Sequence, residues 1–204
     1  MSQNEQNEQK IAVPFLSAGG LRRDVWEIFK ILLISFVIVV PIRYFLVQPF
    51  IVRGASMEPN FEDQEYLIID EISYYFRAPL RGETIVFRYP RDPRQYFIKR
   101  IIGLPGERVE IADGKIKIYN VEKPDGFLIE EPYLVPDGVM TGPAINVQLG
   151  KGEFFVLGDN RAASSDSRIW GPLKKEFITG RAIFRAWPLT RFGNVPDYTE
   201  SPGF

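Results

Sequence analysis

The twenty positions from Ile28 to Val47 carry only two charges, Lys30 near one end and Arg43 near the other. No other feature restricts the folding of this chain as much. A stretch of that length and polarity spans the hydrocarbon core of a bilayer as a helix. Its centre, ILLISFVIVV, has no polar face, so it does not read as a helix lying on a water-soluble core. Trp26 and Tyr44 stand where interfacial aromatics stand, and Lys30 and Arg43 have the reach to snorkel toward the two interfaces. Pro41 lies inside the span and either kinks the helix or ends it. A cleaved leader would have a shorter apolar stretch and an A-x-A-like site, whereas VQPFIVRG follows here. Lys10, Arg22, Arg23 and Lys30 precede the stretch, and Arg43 and Arg53 follow it. The excess of positive charge before the span predicts a cytoplasmic N-terminus and a C-terminal bulk on the far side.

Organisation follows from where the pattern changes. The polar opening MSQNEQNEQK offers nothing to bury, and residues 1–24 read as a disordered cytoplasmic tail before a helix over 25–47. After Phe50 the pattern becomes strand-like. EYLIID, ETIVFRYP, EFFVLGDN and RAIFRAWPL are short and rich in β-branched and aromatic residues. In RVEIADGKIKIYN, Asp113-Gly114 is a type I′ hairpin signal. A two-residue loop there pairs Ile111 with Ile116, Val109 with Ile118 and Glu110 with Lys117. Only ISYYFR and PLKKEFI read as brief helices. The fold class is therefore mainly β: an antiparallel core over 48–105 and 153–204, with an inserted β-hairpin subdomain over 106–152.

Two absences narrow the chemistry. The 204 residues include 0 His and 0 Cys. A Ser-His-Asp triad, a thiol nucleophile, a disulfide framework and a His-ligated metal are all excluded. Any general base is Lys, Asp, Glu, Tyr or an α-amine. The net charge of −1 and the lack of a basic run beyond pairs such as Arg22-Arg23 argue against nucleic acid as a partner.

Three strings carry what remains. RGASMEPNF holds one hydroxyl, Ser56, behind Gly54 and Ala55, just after the apolar stretch. Small residues there permit close approach of an extended substrate, and backbone N–H groups near Ser56 are placed to stabilise an oxyanion. Read alone, a serine in such a loop is most often a turn residue. FIKRII sets Lys99 among apolar neighbours. In a strand Lys99 and Phe97 face one way, Ile98 and Arg100 the other. A buried lysine loses hydration of its charged form, its pKa falls, and its neutral amine becomes a base; an exposed edge-strand lysine is the plainer alternative. GDNRAASSDSRIWGPL follows the apolar EFFVL and packs small, polar and charged residues together. Asp166 and Arg168 are spaced for an ion pair, with Asp159 or Arg161 adding to it.

Together, in this order behind an apolar anchor, the strings resemble the bacterial type I signal peptidases. GASMEPNF resembles the family's G-x-S-M-x-P-T box, RGETIVFRYP its G-D-x-V-V-F box, YFIKRIIGLPGERVEI its Y-I-K-R-V-I-G-L-P-G-D box, and GDNRAASSDSRIWG its G-D-N-R-x-x-S-x-D-S-R-x-W/F-G box. The resemblance runs from the anchor to about Pro188. It implies a membrane-bound serine endopeptidase with a catalytic domain of the signal-peptidase and LexA-like type, no cofactor and no metal. Ser56 falls on the family's nucleophile and Lys99 on its general base. Ser164 falls on the serine that orients the lysine amine, and Asp166 and Arg168 fall on the structural ion pair. Gly54, Gly158, Asp159, Asn160 and Arg161 are implied as supporting residues, and Phe50, Val52, Met57, Phe97 and Ile98 as the lining of shallow pockets for small side chains. The implied partners are preprotein signal peptides, the lipid bilayer and the protein-export machinery, at the extracytoplasmic face of a bacterial plasma membrane.

The chain departs from the pattern at Gly54, where some members carry a serine, at Glu83 for the usual Asp, and at Asn60 for the usual Thr. The interval from Lys99 to Gly158 is short for the family. A self-cleaving regulator of the LexA type also has a Ser-Lys pair, but should carry a DNA-binding or partner-binding domain and its own cleavage loop; this chain has an apolar anchor and no basic helix. A membrane-anchored β module without activity is the remaining alternative.

Overall fold

The computed structural model describes residues 18–41, 48–134, 144–196 and 198–199. The segment 1–17, Arg43 and Tyr44 of the expected span, the VPDGVMTGP turn region and the last residues lie outside it. Helix α1 runs from Ala18 to Pro41, 24 residues. Its large apolar side chains from Val25 to Val39 are exposed. Among the described residues no helix is long and apolar enough to cross a membrane. The described helix carries Asp24, Glu27 and Lys30, and the apolar positions after Pro41 that complete the expected span are not described.

Among the described residues the β unit contains twelve strands: β1 (Gln48–Ile51), β2 (Tyr66–Asp70), β3 (Thr84–Tyr89), β4 (Asp92–Gly103), β5 (Arg108–Ala112), β6 (Lys115–Tyr119), β7 (Phe127–Leu128), β8 (Ile145–Gln148), β9 (Glu153–Leu157), β10 (Leu173–Lys174), β11 (Ile178–Trp187) and β12 (Gly193–Asn194). One sheet runs β1-β2-β11-β3-β4-β9-β10 with β12 beside β11, and a second runs β7-β6-β5-β8. The recorded pairings in both are antiparallel, as expected from short strands with turn residues between them. The β5–β6 hairpin has the register read from the sequence: Ile111 opposite Ile116, Val109 opposite Ile118 and Glu110 opposite Lys117. Asp113 (φ 50°) and Gly114 (φ 73°) both adopt the positive φ that a type I′ turn requires.

Of the two brief helices expected, ISYYFR gives α2 (Ser73–Phe76). PLKKEFI gives β10 and a single 3₁₀ turn, Lys175–Phe177. A third short helix, α3 (Ser167–Trp170), begins where the Asp166 carboxylate accepts the Arg168 N–H at 3.2 Å. An Asp N-cap is a sequence signal, and it was overlooked inside a string read for its charges.

The larger sheet is strongly curled. Four strand spacings separate β1 from β4, about 19 Å at ~4.8 Å each if the sheet were flat. Yet Val52, Met57, Phe61, Leu67, Ile69, Val86 and Ala182 form one buried cluster, against which Phe50 of β1 and Ile98 of β4 both pack. Residues of the opposite parity, Ile85 and Phe87 on β3, Ile101 on β4, and Phe154 and Val156 on β9, form a second cluster on the other face. The hairpin sheet closes a third with Ile102, Phe155 and Leu157. The alternation within β3, β4 and β9 thus holds the sheet between two apolar layers, and the curl leaves a cleft between β1 and the first half of β4.

Candidate active site

Ser56 lies in the loop after β1. Gly54 at φ +83° turns the chain in a conformation that costs other residues strain, and its N–H is bound by Asp63 Oδ1 at 2.7 Å. Met57 and Phe61, both fully buried, pin the loop to the core. The Ser56 carbonyl accepts the Asn160 N–H at 3.1 Å. With that carbonyl engaged, the Ser56 N–H meets no acceptor among the described residues.

Lys99 projects from β4 directly opposite Ile85 of β3, on the face shared with Phe97 and Ile101. Only 3% of it is exposed. Its Nζ lies 2.7 Å from Ser56 Oγ and donates to the Ile98 carbonyl at 2.7 Å. Burial pushes its pKa down from 10.5 to about 8, against the opposing pull of Asp166 and Asp159. The exposed edge-strand reading of Lys99 therefore fails, because β4 has β3 on one side and the Ser56 loop over its amine.

The loop 158–168 frames the pair. Arg168 holds Asp166 in a fork at 2.8 Å and 2.8 Å, and Asp166 also accepts the Gly158 N–H at 3.1 Å. Burial pushes the Asp166 carboxyl up, but the Arg168 fork overcomes it and holds the carboxyl below its usual range. The expected addition of Asp159 or Arg161 to this ion pair is not found. Asp159 binds Arg100 of β4 at 2.9 Å and 2.7 Å, and the Arg161 guanidinium binds Glu131. Arg161 reaches Arg168 only through its backbone carbonyl, at 2.7 Å. Within the string Asp159 and Arg161 are the obvious additions, but Arg100 of β4 and Glu131 from the segment after β7 supply nearer partners.

Ser164 also departs from expectation. No hydrogen bond joins it to Lys99; the amine donates to the Ile98 carbonyl instead. The Ser164 hydroxyl is buried without a hydrogen bond of ordinary geometry, near enough to Asp166 to help lower its carboxyl. It packs over Gly158.

Asn60, where the family pattern has Thr, has a structural use. Its amide donates to the Tyr133 carbonyl at 2.8 Å and to Asp159 Oδ2 at 2.9 Å. Two donors on one amide tie the nucleophile loop to the Asp159 loop and to the segment after β7; a hydroxyl has one. Arg100 is 1% exposed and lies over the Tyr133 ring at 4.2 Å. Arg100→Met leaves Asp159 buried with only Asn60 as a named side-chain donor, and a loss of about 3 kcal/mol is expected in urea unfolding. A loss below about 1 kcal/mol would show that the pair is dispensable.

A cleft of about 770 Å³ opens beside Ser56 and Lys99, lined among others by Phe50, Val52, Phe97 and Ile98. Met57, expected among these, is not in the lining; it is fully buried beneath the loop. Leu67 and Val86 line the cleft, as do Gln95 and Tyr96. Sequence reasoning missed these, although Tyr96 has the same parity on β4 as Ile98.

A hydroxyl beside a buried, weakly basic amine at the head of an apolar cleft is the equipment of a hydrolase that works by acyl transfer. Residues 25–187 match the family model described as "Signal peptidase, peptidase S26". The chain is 37% identical over 192 residues to signal peptidase I of Leptolyngbya laminosa, covering 90% of each. It is 35% identical to probable signal peptidase I-1 of Synechocystis sp., covering 87% of this chain and 92% of that one. It is 30% identical to signal peptidase IB of Staphylococcus aureus strain COL, covering 84% and 94%. The chain belongs to the signal peptidase family, peptidase S26, and is a serine-type peptidase.

Proposed function

We propose that the chain is a membrane-anchored endopeptidase that removes N-terminal signal peptides from exported preproteins, with Ser56 as nucleophile and neutral Lys99 as general base. The observation that carries this reading is the 2.7 Å between Lys99 Nζ and Ser56 Oγ. With the amine neutral, the Ser56 hydroxyl donates to Nζ. As Oγ attacks the scissile carbonyl, its proton passes to Lys99 and the carbonyl oxygen takes the negative charge. The free Ser56 N–H is placed to receive that oxygen. The Lys99 ammonium then gives its proton to the leaving amine as the C–N bond breaks. Water, deprotonated by the same amine, opens the ester and frees Ser56. Asp166, Arg168 and Asn160 hold the loop that fixes the Ser56 carbonyl, and Ile98 orients the amine.

The cleft supports an extended substrate. Among the described residues β1 has a strand partner on one side only, and β9 pairs with β4 only from Arg100 onward. Both walls therefore offer backbone groups to a peptide strand. The lining beside Ser56, with Val52, Ala55, Leu67, Val86 and Ile98, is mainly apolar and favours small apolar side chains at the cleaved bond. The anchor is supported by the run from Ile28 to Val47 and by the exposed apolar side chains of α1. The cytoplasmic N-terminus rests on the lysines and arginines that precede the run.

The test is the full chain in detergent with a signal-peptide substrate ending in A-x-A. Cleavage after the final alanine is expected, and kcat/KM should rise with pH through about 8 as Lys99 loses its proton. At pH 6 only about 1% of the amine is neutral, so the rate should be about a hundredfold below its plateau. A profile flat between pH 6 and 8 would rule out the lysine base.

A further inference from the structure

Residues 188–204 lie past the part of the chain that the family model matches. After β11 a 3₁₀ turn, Leu189–Arg191, leads into β12, which runs back along β11 opposite Phe184 and Arg185. Val195 then donates its N–H to the Ile183 carbonyl at 3.0 Å and is buried in the cluster of Val52, Leu67 and Val86. Tyr198, half-buried, packs instead against the cluster closed by the hairpin sheet. The tail therefore spans from one apolar cluster to the other.

Strand β4 spans the same two clusters. Ile98, Arg100 and Ile102 face one way on it; Ile98 packs on the first cluster and Ile102 belongs to the second. Arg100, between them, holds a buried cation where both neighbours are apolar. Its Nε and one Nη bind Asp159, and the other Nη donates to the Gly82 carbonyl at 2.8 Å. Those bonds run in the guanidinium plane, which leaves the faces of the ion to be covered by aromatic rings. Arg100 Cζ lies 4.2 Å from the Tyr133 ring centroid and 4.9 Å from that of Tyr198. The two rings are 5.3 Å apart with planes at 55°, so they form a corner round the cation. The segment after β7 supplies one wall of that corner and the tail supplies the other.

We propose that the C-terminal tail is a strap over the Arg100–Asp159 pair, and that Tyr198 is a positioning residue for Ser56. This deepens the proposed Ser56–Lys99 reading and rests on it. Asp159 Oδ2 accepts from Arg100 and also from Asn60 of the Ser56 loop, and the N–H of the next residue, Asn160, holds the Ser56 carbonyl. A shift of the guanidinium therefore reaches the Ser56 loop at two points. Removing the Tyr198 ring opens that side of the cation to water, which competes with Asp159 for its donors. The contact needs a π-face and not a hydroxyl, so phenylalanine should serve as well as tyrosine. Leucine keeps apolar bulk against the hairpin cluster but has no π-face, and should not serve.

The experiment uses the full chain in detergent and a signal-peptide substrate ending in A-x-A. Wild type, Tyr198→Leu and Tyr198→Phe are compared at a temperature where circular dichroism shows each of them folded. Tyr198→Leu should lower kcat about tenfold, within what one desolvated contact of this kind can hold in place. Its KM should stay within about twofold of wild type, because no residue of the cleft has changed. Tyr198→Phe should keep kcat within about twofold of wild type. In urea unfolding, the loss caused by Tyr198→Leu should vanish when Arg100→Met is already present, since the ring then has no cation to cover. Wild-type kcat in Tyr198→Leu, an equal loss in Tyr198→Phe, or additive losses with Arg100→Met overturns the strap while leaving the proposed function intact. Failure of the wild-type chain to cut the peptide overturns both.

Discussion

Replacing Lys99 with methionine is expected to abolish peptide cleavage and to raise the melting temperature at pH 7. The two effects share one cause. The folded chain lowers the Lys99 pKa from 10.5 to about 8 by burying it. At pH 7 the amine is protonated in both states, and the folded state bears the full cost of holding the charge. At 1.36 kcal/mol per pKa unit that cost is about 3 kcal/mol. Between pH 8 and 10.5 the unfolded chain binds more protons than the folded one, so stability rises with pH across that window and levels off above it. Methionine keeps the reach and volume of the side chain without the ammonium. Lys99→Met should therefore gain about 1–3 kcal/mol at pH 7, or several degrees, and the gain should shrink as the pH approaches 10.5. Activity in Lys99→Met and in Ser56→Ala should each fall at least about 10³-fold, with the double variant no worse than either, as for groups that act as a unit. Melting below wild type at pH 7 would refute the assigned cost of burial, and surviving turnover in either single variant would refute the catalytic pair.

Adding one methyl group at Gly158 is expected to do nearly as much harm from outside the chemistry. A Cβ there would lie 2.2 Å from Ser164 Oγ and 2.4 Å from the Ser56 carbonyl oxygen. The first contact yields if the serine rotates, but the second is backbone of Ser56, the proposed nucleophile. Gly158→Ala therefore displaces Ser56, and displacements of about 1 Å at a reacting centre cost on the order of a hundredfold in rate. The loss should fall mainly on kcat, since the cleft walls are on other strands, with a stability loss of about 1–3 kcal/mol from overpacking. Adding Ser164→Gly relieves only the side-chain clash and should restore part of the stability but little of the rate. A folded Gly158→Ala variant with wild-type kcat would show that the carbonyl moves freely.

What the sequence revealed was what local rules govern. The β5–β6 register followed from alternation and an Asp-Gly turn, and the strand carrying Lys99 from its β-branched residues. Ser56 and Lys99 were singled out by the resemblance of their strings to the signal-peptidase boxes; the absence of histidine and cysteine narrowed the possible bases without choosing one. What escaped were partners far apart in the chain. Arg100 meets Asp159 across 59 positions of chain and Arg161 meets Glu131 across 30; nothing in either neighbourhood announces the other. Met57 is adjacent to Ser56 in sequence, but the loop turns it inward to full burial, and Tyr96 from a distant strand stands in the cleft instead.

The open side of β4 has a further consequence, for the protein's behaviour in solution. A strand flank ready to accept a preprotein is equally ready to accept the same flank of another copy, which is how chains begin to clump. Pro90, Arg91, Pro93 and Arg94 crowd the tip of that hairpin, where prolines cannot extend a ladder and like charges repel. They act as guards against unwanted company at the place where the chain has to stay open for business with its substrate.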